Sequence, residues 1–202
     1  MKHILKFKKA LILILALFVL GSLASCSKDD SSPKKTVQNF FDAIKKNDLE
    51  KATKYVSYDG EEVFNYENEE QEKIGEKIVS KIKYEIVLVS TLKKENKSTA
   101  IVKITAPDMS ALFTKILQEQ IQNILSSAFS GSSDSSGTSV EEELLNALSG
   151  SDVPTVTTEV TINLVKDEEG KNWLIKLDED LMNALTGNLL NIANELQQLS
   201  GF

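Results

Sequence analysis

The sequence predicts an α+β fold, with a four-stranded antiparallel sheet packed on N-terminal helices, a helical insertion and a C-terminal helix. Two regions, 82–106 and 156–177, carry apolar residues at every second position, and a polar turn interrupts each of them. This alternation predicts two antiparallel hairpins. Elsewhere, apolar residues recur every three or four positions, which indicates helices. Because a sheet with one polar face must cover its apolar face, we expect a helical layer on one side.

Three helices are predicted before the first hairpin. Ser32 and Pro33 are typical of an N-cap and a first helical turn, and Asn47-Asp48 ends that helix and caps a second one. The apolar residues of the first helix are Val37, Phe40, Phe41 and Ile44, and those of the second are Leu49, Ala52, Tyr55 and Val56. Two short helices joined so tightly form a helical hairpin. A later pair of isoleucines, four residues apart, indicates the third helix.

Residues 109–150 are predicted to form the helical insertion between the two hairpins. Asp108 is a candidate cap for the longest helix of the chain, whose apolar residues are Leu112, Phe113, Ile116, Leu117, Ile121, Ile124, Leu125 and Ala128. We favour packing of this helix on its own sheet or against a following helix at 140–148. The alternative is that it presents an apolar face to a partner.

A serine-rich segment, Ser130 to Ser139, separates these two helices and is predicted to be flexible. Ser139 with Glu142 forms a capping-box pattern that opens the second of them. After the second hairpin, Asp178 begins a final helix, which Gly187 is expected to kink or divide.

Residues 1–25 have the organisation of an export signal. Four lysines precede an unbroken apolar run, Ala10 to Leu20, and small residues follow it. Such a run makes a helix of roughly 16 Å, which is too short for a bilayer core of about 30 Å. The tetrapeptide Leu23-Ala24-Ser25-Cys26 resembles the lipobox of bacterial lipoproteins. The resemblance implies cleavage before Cys26 and a diacylglycerol on its sulfur, which anchors the protein outside the cytoplasm; the alternative is a plain signal peptide.

The chain therefore divides into a signal peptide at 1–25, a polar tether at 26–35 and a single domain at 36–202. Cleavage would remove four of the 23 lysines and none of the 30 acidic residues, so the formal charge would change from −7 to −11. A surface this acidic opposes binding to nucleic acid or to anionic lipid headgroups. The membrane is expected as a partner through the lipid on Cys26, on the outer surface of the cell or at the outer membrane of a host with two membranes.

The residue inventory excludes several kinds of site. His3 is the only histidine, Cys26 is the only cysteine, and the chain has no arginine. Once residues 1–25 are lost and Cys26 carries lipid, no imidazole base, free thiol or His/Cys zinc site remains. A Ser-His-Asp or Cys-His hydrolase is therefore excluded, and no cofactor is predicted.

The domain resembles nuclear-transport-factor-2-like (cystatin-like) domains, and most of all their uncharacterised lipoprotein branch. Its opening, residues 36–52, matches their first helix and an Asn-Asp-x-x-x-Ala start of the second. Residues 170–175 (GKNWLI) are similar to their Gly-x-Trp-x-Ile ending, with one extra residue. The resemblance covers 36–106 and 153–178, and the insertion departs from it. It implies a curved, cone-like sheet whose pocket serves catalysis, ligand binding or protein contact in different members.

Tyr55, Tyr84 and Trp173 are the candidate pocket-lining residues, because each joins an apolar ring to a polar group. The alternative is that these rings belong to the core, and for Trp173 we favour the buried position. The phenylalanines, Phe40, Phe41 and Phe64, are interpreted as core, and Tyr58 and Tyr66 complete the aromatic set.

Two groups of carboxylates are candidate functional sites. Glu85 and Glu159 lie on predicted strands, but the alternation places both on the solvent face, so no catalytic residue is assigned. The acidic cluster, formed by Glu61, Glu62, Glu67, Glu69, Glu70 and Glu72, lacks the spacing of a calcium loop. It is interpreted as a solvated face, and no metal site is predicted.

We therefore expect a membrane-anchored extracytoplasmic lipoprotein that is not an enzyme and that binds a small apolar ligand or an envelope protein. The alternative is a pocket enzyme of the isomerase or cyclase kind, which uses a buried carboxylate. A cavity with a carboxylate directed into it would favour the enzyme, whereas a filled interior would favour protein contact or a structural role.

Overall fold

A computed structural model of the protein describes residues 32–57, 68–130 and 139–192. The predicted signal peptide, Cys26 and the tether as far as residue 31 lie outside these ranges. So do other residues singled out above, namely Tyr58, Glu61, Glu62, Phe64, Tyr66, Glu67 and the serine-rich stretch 131–138.

The described strands form one open, five-stranded mixed sheet. They are β1 (Val56–Ser57), β2 (Lys83–Leu92), β3 (Lys97–Pro107), β4 (Thr155–Lys166) and β5 (Trp173–Lys176). Their order across the sheet is β1-β5-β4-β3-β2. The α+β class and both predicted hairpins are confirmed, because β2 pairs with β3 and β4 with β5 in antiparallel fashion.

The prediction of four strands, all antiparallel, is wrong at one edge of the sheet. There β1 pairs in parallel with β5, with Val56 opposite Ile175, and the Ile175 N–H donates to the Tyr55 carbonyl at 2.8 Å. The sequence pattern assigns Val56 to the second helix, but that helix ends at Thr53. A strand of two residues has no alternation to detect, so the pattern could not reveal it.

The described helices are α1 (Pro33–Lys45), α2 (Leu49–Thr53), α3 (Glu69–Ser80), α4 (Met109–Ser130), α5 (Val140–Ser149) and α6 (Glu179–Leu185). The predicted N-caps are confirmed, since a backbone N–H three residues further on donates to each of five side chains, those of Ser32, Asp48, Asp108, Ser139 and Asp178. α1 begins at Pro33, within the predicted tether, and α4 includes Ser130, the first residue of the serine-rich segment. Ser139, its last residue, is the cap of α5.

The main apolar core lies between one face of the sheet, here called the inner face, and helices α1 and α6. Alternate residues of β3 and β4 point into it and are buried, namely Ala100, Val102, Ile104, Val160, Ile162 and Leu164. Phe40 and Phe41 of α1 and Leu181 of α6 are also buried there. Lys103 and Glu159, on the opposite or outer face, are exposed. The expected one-sided helical layer is confirmed.

A β-bulge in β2 changes which residues face the core. The register with β3 shifts between Ile86 and Leu88, so that Val89 lies opposite the buried Ala100. Strict alternation predicts Leu88 on the inner face, beside Ile86. That prediction is wrong, because the extra residue at the bulge turns Leu88 outward, where it is 55% exposed.

A second, smaller apolar cluster joins the helical insertion to α3. Its buried members are Ile78 of α3, Met109, Leu112 and Ile116 of α4, and Leu144 and Leu148 of α5. α5 packs against both α3 and α4. The first two turns of α4 therefore pack as predicted, on a neighbouring helix.

Gly187 fixes the end of α6. It has a positive φ of 61°, and residues 189–192 resume a helical turn after it, so the predicted division of the last helix is confirmed. Its carbonyl accepts the N–H of Met109 at 3.0 Å. A Cβ at this position would lie 1.8 Å from the Pro107 carbonyl oxygen, so only glycine allows the two chain segments to approach this closely.

Candidate binding surfaces

The second half of α4 carries five large apolar side chains on the surface. They are Leu117, Ile121, Ile124, Leu125 and Phe129, with exposed fractions of 42%, 56%, 67%, 52% and 90%. We call these five residues the α4 apolar face. Single exposed apolar residues are ordinary, but a contiguous set on one helix indicates an interaction surface.

This face is distinct from the one that α4 buries. At about 100° per residue, Met109, Leu112 and Ile116 lie within an arc of about 60° on the helix. The same arc further along contains Gln120, Asn123 and Ser127, which are polar. The α4 apolar face is centred roughly 160° away from that arc. Its residues therefore do not extend the core contact, and they point away from it.

The α4 apolar face is also free of charge. The last ion pair of α4 joins Lys115 to Glu119 at 3.8 Å, and residues 120–130 contain no charged side chain. The chain as a whole is 26% charged and acidic. The exposed fractions amount to about three whole side chains, so covering them would contribute roughly 5–9 kcal/mol before the costs of association.

A cleft of about 580 Å³ lies at one end of the sheet. Four of its lining residues form one cross-strand row on the outer face, in the order Ser90, Thr99, Asn163 and Lys176. Leu92, Lys97 and Val165 belong to the next row. Hydroxyl, amide and ammonium groups and the Asp178 carboxylate share the cleft with apolar groups, which form the larger part of its exposed lining. The Asp178 carboxylate already accepts the Leu181 N–H as the cap of α6.

The predicted pocket-lining residues Tyr55, Tyr84 and Trp173 do not line this cleft. The Tyr84 ring stacks on Phe41 with 4.6 Å between ring centroids, and its hydroxyl donates to an Asp42 carboxylate oxygen at 3.0 Å. Burial, reinforced by the hydrogen bond to Asp42 and by its negative charge, raises the pKa of Tyr84 to about 12. Tyr84 therefore ties β2 to α1.

Trp173 and Tyr55 also serve the fold. Trp173 is 8% exposed, its ring lies 4.8 Å below the Lys166 ammonium, and its carbonyl accepts the Thr36 hydroxyl at 3.3 Å. Tyr55 packs against the main core at the end of α2. The core assignment of Phe40 and Phe41 is confirmed.

Glu85 and Glu159 do not form a carboxylate pair. Both lie opposite Lys103 in the sheet register, one on each neighbouring strand, so their backbones are about 10 Å apart. All three residues are exposed. Of the acidic cluster, Glu69, Glu70 and Glu72 occupy the first turn of α3, where they are exposed and favourably placed towards the positive end of the helix dipole.

The acidic turn between β4 and β5, residues 167–172, is held together by hydrogen bonds to Asp167. The Lys171 N–H and the Asn172 side-chain amide each donate to Asp167 at 2.7 Å. Slight desolvation acts to raise the pKa of Asp167, but these hydrogen bonds outweigh it and lower the pKa. Within residues 32–57, 68–130 and 139–192, no three potential metal ligands lie together.

The sequence contained the signal for the α4 apolar face. The prediction placed all eight apolar residues of α4 in a single stripe, whereas Ile116 and Ile121 lie on nearly opposite sides of an ideal helix.

Comparisons with protein-family models, with curated proteins and with solved structures found no match to this chain. None of the helices in the described ranges is both long enough and apolar enough to cross a membrane.

Proposed function

We propose that this protein is a membrane-anchored extracytoplasmic lipoprotein that acts by binding a protein of the cell envelope. The observation that carries the proposal is the α4 apolar face, a set of uncharged side chains that remain exposed within the part of the domain that the structure describes. A surface of this kind is typical of protein–protein contact.

The packing of the core supports contact rather than ligand storage. Phe40, Phe41 and Ile175 are fully buried between α1 and the sheet, and Trp173 is nearly so. This packing favours an envelope protein over a small apolar ligand held inside the main core.

The anchor is the second part of the proposal, and the lipobox-like Leu23-Ala24-Ser25-Cys26 supports it. Ser32, the cap of α1, lies six positions after Cys26, and a fully extended chain over that interval spans about 20 Å. A lipid on Cys26 would therefore hold the domain close to the membrane, where envelope proteins are concentrated. Two acyl chains anchor stably where one would not.

The resemblance to nuclear-transport-factor-2-like domains belongs to the same proposal. The helical hairpin before an antiparallel sheet supports it, whereas the parallel β1 strand and the α4–α5 insertion are additions. Because the contact face lies on the insertion, the activity proposed here would be particular to this chain rather than to the shared fold.

Photo-crosslinking in host membranes tests the proposed contact. The variant Ile124→p-benzoylphenylalanine places a probe on the α4 apolar face. Asn123→p-benzoylphenylalanine places it at an exposed position one residue earlier, about 100° around the helix from Ile124 and roughly 160° from the centre of the face. We expect protein adducts from position 124 and far fewer from position 123. Lipid adducts alone, or equal yields from both positions, would reject protein contact through this face.

A further inference from the structure

We infer that the α4 apolar face binds the same face of a second copy of this chain, so that two α4 helices pack about a two-fold axis. The inference rests on the proposed function, because it names the partner of the surface on which that function depends.

The spacing of the face suits pairing between two like helices. Leu117, Ile121 and Ile124 are separated by four and then three residues, which is the interval along the contact line of a helix pair. Leu125 and Phe129 widen the face on one side. An apolar ridge of this kind is complementary to itself, and a two-fold interface joins identical surfaces by necessity.

The charge distribution favours a second copy over other occupants. Two copies each carrying −7, or −11 after cleavage, repel one another across most of their surfaces, but residues 120–130 contribute nothing to that repulsion. A basic partner would gain more electrostatic binding free energy from the acidic surface of the domain than from the uncharged α4 apolar face. A helix that lies in a bilayer interface usually carries Lys or Arg beside its apolar stripe, and α4 has none after Lys115.

The size of the face fits copies that share one membrane. Its exposed side chains offer roughly 500 Å² per copy, which is less than the ~800 Å² per partner of a standard stable interface. An interface of that size is expected to be weak between molecules free in solution. Confinement by lipid anchors raises the effective concentration of one copy near another and allows weak pairing to persist.

Crosslinking between two differently tagged, full-length copies in host membranes tests this inference. Both copies carry Ile124→Cys, or both carry the control Asn123→Cys, and a short bis-maleimide joins thiols that lie close together. A lipid on Cys26 leaves the introduced cysteine as the only thiol in the chain. We expect a mixed-tag dimer from Ile124→Cys and at least about tenfold less from Asn123→Cys, because the outer surfaces of two packed helices lie about 20 Å apart.

Two further arms test the pairing: a substitution in the face excludes chance collisions, and a change of salt tests the charge argument. Adding Ile121→Asp to the Ile124→Cys copies should reduce the dimer about tenfold or more, since it buries an unpaired charge. Raising the salt from 10 to 100 mM should increase the dimer, because the Debye length shortens from about 30 to about 10 Å and the acidic bodies repel one another less.

The outcomes separate the inference from the proposed function. Equal dimer from both cysteine positions, or none from either, overturns the pairing of copies. If position 124 then still photo-crosslinks to another envelope protein, the contact function stands without a second copy. If position 124 yields neither dimer nor protein adduct, both proposals fail.

Discussion

Ile116 and Leu117 are consecutive residues of α4, yet Ile116 is 3% exposed in the cluster with α3 and α5, whereas Leu117 is 42% exposed. Up to Ile116, apolar residues of α4 are buried in this cluster, and from Leu117 onward its large apolar residues are exposed. Beyond this point the apolar side chains lie on the far side of the helix, and polar side chains follow the buried arc.

This change of role predicts a difference between two matched substitutions. Ile116→Ala should lower the free energy of unfolding by about 2–5 kcal/mol, because it leaves a cavity in a packed cluster. Ile121→Ala, on the same helix, should change it by less than about 0.5 kcal/mol. Chemical denaturation followed by the fluorescence of Trp173 measures both values. Similar losses from the two variants would mean that Ile121 is part of the core.

Tyr84 predicts a pH dependence at the alkaline end. A folded-state pKa of about 12, raised above the ordinary 10, contributes stability that is present in full below pH 10 and is lost as the pH rises towards 12. Tyr84→Phe should remove this contribution, so the stability difference between wild type and variant should shrink over that interval. Thermal unfolding at several pH values tests this. A difference that stays constant from pH 9 to 12 would contradict the raised pKa of Tyr84, and with it the burial and the Asp42 contact that cause it.

Gly187 and Gly170 offer a matched pair of glycine substitutions. Both have positive φ, but a Cβ at Gly170 meets nothing within 4 Å, whereas one at Gly187 meets the Pro107 carbonyl at 1.8 Å. Gly170→Ala should therefore cost about 1–2 kcal/mol of backbone strain. Gly187→Ala should cost clearly more, because the contact between α6 and the start of α4 must open. Equal melting temperatures for the two variants would argue against this close approach.

The proposed lipid anchor depends on a single side chain. Cys26→Ala should leave the protein unprocessed or release it from the membrane fraction, because no other thiol can carry the diacylglycerol. Intact-mass analysis of the native protein should show a modified N-terminal cysteine. Ser25→Ala, which keeps the lipobox pattern, is the control for changes near the site. An unmodified Cys26 in the native host would contradict the proposed lipid anchor.

The sequence predicted the larger elements well, because their patterns are long. β2, β3 and β4 are ten to twelve residues long and contain runs of alternating apolar residues, and polar caps such as Ser32 and Asp178 mark where helices begin. Features that depend on one or two residues were not predicted from the sequence, because they are too short to show a periodic pattern. β1 has two residues and is held by its parallel pairing with β5, and one extra residue at the bulge reverses the direction of Leu88.

The candidate site was predictable only in part. The pocket-lining assignment of Tyr55, Tyr84 and Trp173 relied on ring chemistry, which does not distinguish a core position from a pocket. Only contacts between residues distant in the sequence, such as the stacking of Tyr84 on Phe41, show what these rings pack against. The α4 apolar face, by contrast, follows from helix geometry once the apolar residues are assigned to sides of the helix.

The most direct test of the account is whether the α4 apolar face is covered in the membrane. Maleimide labelling rates can be compared for Ile121→Cys and Asn123→Cys, which are both exposed positions on α4, in host membranes and in the purified, diluted protein. We predict that position 121 is labelled at least about tenfold more slowly in membranes than in the diluted protein, whereas position 123 is labelled at similar rates in both. Rapid labelling of position 121 in membranes, equal to that of position 123, would contradict the claim that this face binds a partner.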